Sequence, residues 1–175
     1  MRAEQFDELP WEESRYWELL DGELIEVPSP KPRHNLIAFA LMRRIGAFAR
    51  ARRLGTVIFE TDLAVSANTR LRPDIALFSA EKWESIDIDA VPVASAPDIV
   101  IEVLSPSETQ RRMRCKIDAY LAWGVSEIWI IDPDARTLEI HRRDGSQSLT
   151  EGSWLTTESI PGWRIQVSEI FEDAA

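Results

Sequence analysis

The chain has 175 residues, a net charge of −10 and a pI near 4.7, which excludes a protein that wraps itself in nucleic acid through a general positive field. With 45% hydrophobic and 29% charged residues it lies near globular averages, which excludes a disordered polymer, and its length predicts one domain over residues 1–175. Cys115 is the only cysteine and there are two histidines, so an internal disulfide and a Cys/His zinc knot are excluded and a reducing, cytoplasmic setting is expected.

The opening residues Met1 to Glu8 lack the apolar core of a secretion signal, and the longest apolar stretch, Leu36 to Met42, is too short to span a bilayer. From Trp11 to Leu20, aromatic and leucine residues among acids predict a short helix, followed by a turn at Asp21-Gly22 and a strand over the alternating Glu23 to Val27. Pro28, Pro30 and Pro32 interrupt regular structure. Asn35 to Arg53 then predicts the first long helix, with Leu36, Phe39, Ala40, Ile45, Ala47 and Phe48 as its apolar positions and Gly55 as its stop. Strands are predicted over Thr56 to Glu60, Leu63 to Val65 and Pro73 to Phe78, then a helical turn and loop from Ser79 to Pro97.

Ile99 to Leu104 is apolar apart from Glu102, the pattern of a strand covered on both faces, and Ser105-Pro106-Ser107 ends it. A helix from Glu108 to Trp123 carries Met113, Ile117, Tyr120 and Leu121 on one stripe and closes at Gly124, before a second buried strand at Ile128 to Ile131. Beyond Asp132 the text changes to short polar strands, at Leu138 to His141, Ser148-Leu149 and Ile165 to Val167, with a short helix near Phe171. The fold expected is α/β, a mixed sheet flanked by helices with an antiparallel C-terminal extension.

Alternation puts Asp98, Val100 and Glu102 on one face of their strand and Ile99, Ile101 and Val103 on the other. A carboxylate buried there needs a cation, backbone donors or a metal. Asp98 lies about 13 Å away along the strand and is read as its start. Asp74, at the head of another strand, is the better partner for one hard cation such as Mg²⁺. The rival reading is an Asp that starts a turn and a Glu in a buried ion pair.

Lys116 sits at the edge of the apolar helix stripe, where its ammonium either reaches inward toward these acids or lies with its stem on apolar surface and its head in water. Arg111, Arg112 and Arg114 are read as projecting away from that stripe, as is Cys115, which has no evident base. With Arg43, Arg44, Arg50, Arg52 and Arg53 on the first long helix, these arginines form either local phosphate-binding patches or a solvated face.

Arg72-Pro73-Asp74, then Pro97 through Glu102 to Ser107, then Lys116 with Tyr120, Gly124-Val125 and Trp129 to Pro133 closely resemble the Uma-type restriction endonuclease family of the PD-(D/E)XK nuclease superfamily. The similarity runs from Glu18-Leu19-Leu20-Asp21-Gly22-Glu23 to Pro161-Gly162-Trp163. It implies a restriction-endonuclease-like core with Asp74 and Glu102 as metal ligands. The superfamily lysine two residues after the second acid is Leu104 here, and the resemblance assigns its part to Lys116. Many relatives carry an acid at the position of Arg112. Glu23 and His34 fall where relatives place a Glu and a His near the cleft; by their own residues, Glu23 reads equally as a solvent-facing strand residue and His34 as an N-terminal helix residue with no catalytic duty.

The function expected is a Mg²⁺- or Mn²⁺-dependent endonuclease acting on DNA, with Asp74, Glu102, Lys116, Glu23 and His34 as catalytic candidates and a homodimer as the working form. The alternative is a nuclease fold without catalysis that serves as an interaction module. On the nuclease reading, Lys116→Ala is expected to lower cleavage and leave the fold intact.

Overall fold

The structure, a computed structural model, describes residues 1–106 and 108–174. Two short helices, α1 (Ala3–Asp7) and α2 (Trp11–Ser14), precede strands β1 (Trp17–Leu20) and β2 (Glu23–Glu26). The helix expected to reach Leu20 therefore stops at Ser14. Asp21 and Gly22 have φ of 49° and 83°, the left-handed pair that a two-residue hairpin requires. With that turn formed, Trp17 pairs with Glu26 and Leu20 with Glu23, and ladder pairing overrides the local helical pattern.

Helix α3 (Pro32–Arg52) starts ahead of the expected Asn35, because a proline is tolerated in the first turn, where no intrahelical N–H is needed. It ends at a left-handed Arg53, whose N–H donates to the carbonyls of Ala49 and Arg50, and not at Gly55. Its buried stripe is Ile37, Ala40, Leu41, Ile45 and Ala49, leaving Leu36 and Phe39 exposed. Gly55 instead opens β3 (Gly55–Phe59), where a Cβ would stand 2.1 Å from the Phe78 carbonyl oxygen.

Strands β4 (Leu63–Ser66), β5 (Thr69–Leu71) and β6 (Ile75–Ser79) follow, β5 being unforeseen in the sequence. Next come α4 (Ala80–Glu84), β7 (Ile99–Val103), α5 (Gln110–Trp123) and β8 (Glu127–Asp132). The Thr109 hydroxyl caps α5 by accepting the Arg112 N–H, so Glu108 lies before the helix and not in it. Ser107, read as part of the stop after β7, lies outside the described residues. The chain closes with β9 (Thr137–Arg142), β10 (Gly145–Leu149), β11 (Trp154–Thr156), β12 (Arg164–Gln166) and α6 (Val167–Ile170).

The main sheet has the order β10-β9-β8-β7-β6-β3, mixed as expected, with β7 and β8 parallel and the other pairs antiparallel. The C-terminal extension is divided: β9 and β10 continue the main sheet, while β11 and β12 form a ladder of their own. A second antiparallel sheet, β2-β1-β5-β4, carries the N-terminal hairpin. Ile99, Ile101 and Val103 pack with α3 and the C-terminal elements in one core. Val100 faces the other core, with Met113, Ile117 and Tyr120 of α5. Cys115 packs against this second core and does not point away from it. Among the described residues no helix is long and apolar enough to cross a membrane.

Candidate active site

The β6–β7 ladder pairs Ile75 with Ile101 and Ala76 with Val100, so one step further Asp74 stands opposite Glu102. Side chains directly opposite in an antiparallel pair project from the same face with Cβ atoms about 5 Å apart. Asp74 is fixed there by two contacts. Its Oδ2 accepts the Val103 N–H at 2.6 Å and lies 3.2 Å from His34 Nε2. The second contact explains how a residue of the α3 first turn enters the site, since the helix begins where the Pro-rich segment ends at this edge of the sheet.

Glu102 is 6% exposed, on the α5 side of β7. Its Oε1 accepts the Tyr120 hydroxyl at 2.9 Å and pairs with Lys116 Nζ at 2.8 Å. Tyr120 and Lys116 lie four residues apart on α5, so one face of the helix delivers both. Lys116 is 4% exposed, which settles its sequence alternatives in favour of the inward reach. A second acid meets the same ammonium: Glu18 Oε2 at 3.3 Å. The other Glu18 oxygen accepts the Arg72 N–H at 2.8 Å, joining β1 to the segment before Asp74.

Burial pushes the Glu102 carboxyl up to about 8; the Lys116 charge opposes the rise, and the charges of Asp74 and Glu18 add to it. Burial works against the Lys116 ammonium, but Glu102 and Glu18 outweigh it and hold the group charged well beyond its ordinary range. Burial next to Glu102 likewise drives the Tyr120 hydroxyl far up, so it stays a donor. Glu108 also rises, first by burial, and its Oε1 is buried without a hydrogen-bond partner among the described residues. The nearest cation to that oxygen on α5 is Arg112 Nε at 3.9 Å. Acids thus outnumber the one buried cation, Lys116.

Glu18, His34, Asp74, Glu102, Glu108 and Lys116 line one cavity of about 450 Å³, into which Arg15, Arg72 and Arg112 also open, while Tyr120 stays buried behind Glu102. Arg112 was expected to project away from the apolar stripe; it lines the cavity because Glu108 draws it inward. Arg72 is held by Asp62 through two nitrogens, at 2.7 and 3.1 Å. Four of the five sequence candidates, Asp74, Glu102, Lys116 and His34, reach this cavity. Glu23 does not: it is exposed on β2 and absent from the lining, and Glu18 and Glu26 are the acids that hairpin brings to the cavity. The signal for Glu18 was a lone charge between Trp17 and Leu19, as for Glu102 in its strand, and the helical reading of the segment concealed it. Asp98 serves its strand, its Oδ2 accepting the Ser79 N–H while Oδ1 pairs with Lys82.

The donor set suits a hard divalent cation. Among the described residues Asp74 Oδ1 and Glu102 Oε2 have no hydrogen-bond partner, so each acid keeps one oxygen for a ligand. No three His, Cys, Asp or Glu among the described residues form a ready-made cage. An ion held by these two carboxylates would need water and phosphate oxygens to complete its shell.

A family model, Uma2, described as "Putative restriction endonuclease", matches residues 3–168. Among solved structures, the chain is similar to that of a "putative nuclease belonging to DUF820" from Anabaena variabilis. The two share 22% identity with a TM-score of 0.86, over 100% of this chain and 99% of the other. At that identity the likeness establishes the fold. No curated protein matches the chain.

Proposed function

Because the chain belongs to the Uma2 family, we propose that it is a divalent-metal-dependent endonuclease of one domain, hydrolysing phosphodiester bonds in DNA. The observation that carries this reading is the Asp74–Glu102 pair facing one another across β6 and β7, each with an oxygen that has no hydrogen-bond partner among the described residues, beside a buried ammonium. Asp74 and Glu102 would hold Mg²⁺ or Mn²⁺, which supplies Lewis acidity at the scissile phosphate when bound.

The remaining work falls to the chain's own groups. Lys116, kept charged by Glu102 and Glu18, offers a donor to the attacking water and to charge developing on the phosphate. His34 and the Val103 N–H orient Asp74, so that its free oxygen points into the cavity. Tyr120 does the same for Glu102. Arg15 and Arg112 at the cavity wall suit the phosphates flanking the cut. A polynucleotide substrate and a single cysteine fit a reducing cytoplasm.

A second reading, an interaction module without catalysis, draws on the fact that Lys116 already neutralises part of the buried acid charge. Plasmid DNA incubated with purified protein and Mg²⁺ or Mn²⁺ discriminates. The nuclease reading expects nicking or linearisation by the wild type and its loss in Asp74→Asn. Intact plasmid with every ion, or equal cutting by the variant, favours the module.

A further inference from the structure

We infer that the outward face of α3, together with the edge strand β3, is a track on which a single-stranded stretch of the polynucleotide lies as it leaves the cavity. The inference rests on the nuclease reading above and adds to it the form of substrate. Its first support is the distribution of charge. Between Val27 and Glu60 the chain has seven Lys and Arg and no Asp or Glu, so all thirty acids lie elsewhere, with the other thirteen cations. In a chain of net charge −10, this one segment is positive.

Part of that charge is already paired: Arg33 with Asp134, Arg44 with Glu169. Arg43 and Arg50 are exposed and make no ion pair among the described residues. They share a helix face with Phe39, which is 57% exposed, at spacings of four and eleven residues from it. Beside this face runs β3, which among the described residues pairs on one side only, with β6. Gly55 and Val57 join Met42, Arg43 and Arg50 in lining a groove of about 560 Å³. Phe59 is the next residue on the same side of β3, and it is 60% exposed.

The track meets the site at both of its elements. His34, in the first turn of α3, and Glu60, directly after Phe59, line the carboxylate cavity. Unpaired arginines beside exposed phenyl rings are the chemistry of single-strand binding, the cations taking phosphates and the rings stacking on bases. A duplex keeps its bases stacked inside and has no use for Phe39 or Phe59. A second copy of the chain would bring this positive face against itself, which disfavours a symmetric dimer here.

Fluorescence anisotropy in EDTA, where nothing is cut, tests the track. The probe is a fluorescein-labelled oligodeoxynucleotide of about 20 nucleotides, longer than a typical single-strand site, offered alone and as a blunt duplex. The wild type should bind the single strand at least about tenfold more tightly than the duplex. Phe39→Ala and Phe59→Ala should each weaken single-strand binding roughly five- to hundredfold and leave duplex binding unchanged. Arg43→Gln combined with Arg50→Gln should lower the salt-dependence slope by about 1.4.

Equal affinity for the two probes, no binding of either, or variants that bind like the wild type would each overturn the track. So would a dimer that Phe39→Ala dissociates, since a copy of the chain would then own the face. The substitutions lie outside the cavity and binding is read without metal. Plasmid cleavage that depends on Asp74, with anisotropy unmoved, therefore removes the track alone, whereas the expected anisotropy without any cleavage removes the nuclease alone.

Discussion

Lys116 Nζ lies 3.3 Å from Glu18 Oε2, so the ammonium that pairs with Glu102 is not dependent on it. Removing the Glu102 charge therefore leaves Lys116 with a partner. Glu102→Gln is expected to cost within about 1 kcal/mol at neutral pH, since Gln still accepts the Tyr120 hydroxyl. Its effect should depend on pH. With the Glu102 carboxyl raised from 4.5 to about 8, the folded chain binds a proton that the unfolded chain has lost across that interval. Metal-free wild type must then lose stability as pH rises from about 4.5 to about 8, and Glu102→Gln should lack this slope. Urea unfolding of both proteins across that range checks it, and parallel curves would contradict it.

Lys116→Ala strands two buried acids instead of one cation. Breaking a buried pair costs about 3–5 kcal/mol, so the expectation of an undisturbed fold gives way to marked destabilisation. A midpoint within experimental scatter of wild type at pH 8 would return Lys116 to the solvent-facing reading.

His34 titrates upward from 6.5: burial pulls it down, but the hydrogen bond and charge of Asp74 prevail. Its imidazolium therefore contributes stability that is complete below pH 6.5 and lost as pH rises through the raised folded value. The difference in melting temperature between wild type and His34→Gln should be largest near pH 5.5 and close by pH 9. As a group that orients Asp74, His34 should also be worth about 10–100-fold in activity or metal affinity.

Tyr120→Phe removes one hydroxyl from Glu102 without opening the core. A loss of about 0.5–1.5 kcal/mol is expected from one buried hydrogen bond, with weaker metal binding because Glu102 is less firmly aimed. Calorimetric titration with Mn²⁺, alongside thermal unfolding, separates the two effects. A variant equal to wild type in both would remove Tyr120 from the site.

Asp74, Glu102 and Lys116 were legible because each breaks a local pattern: an acid heading a strand, an acid inside one, a lysine beside an apolar stripe. Glu18 breaks the same pattern in β1, yet recognising it required the Asp21-Gly22 hairpin to be preferred over a helical spacing. That preference came from pairing with β2 and also with β5, and the β5 contact, Leu19 with Arg70, lies outside any local window. Glu23 lies on the strand predicted for it, and the hairpin register gives it the solvent-facing placement of its two readings. The continuation of the main sheet through β9 and β10 also depends on nonlocal pairing, with β8. The α3 boundaries were missed for local reasons, namely Pro32 tolerated in the first turn and Arg53 adopting a left-handed cap.

The central claim is that Asp74 and Glu102 face one another to share a cation. Thermal unfolding of wild type and Glu102→Gln at pH 8, each with and without Mg²⁺ or Mn²⁺, tests it most directly. At a free ion concentration about 100 times Kd, the wild type should gain about 2.7 kcal/mol, read as a rise in Tm, and the variant should gain none. An unmoved wild-type curve, or an equal rise in both proteins, would contradict the claim.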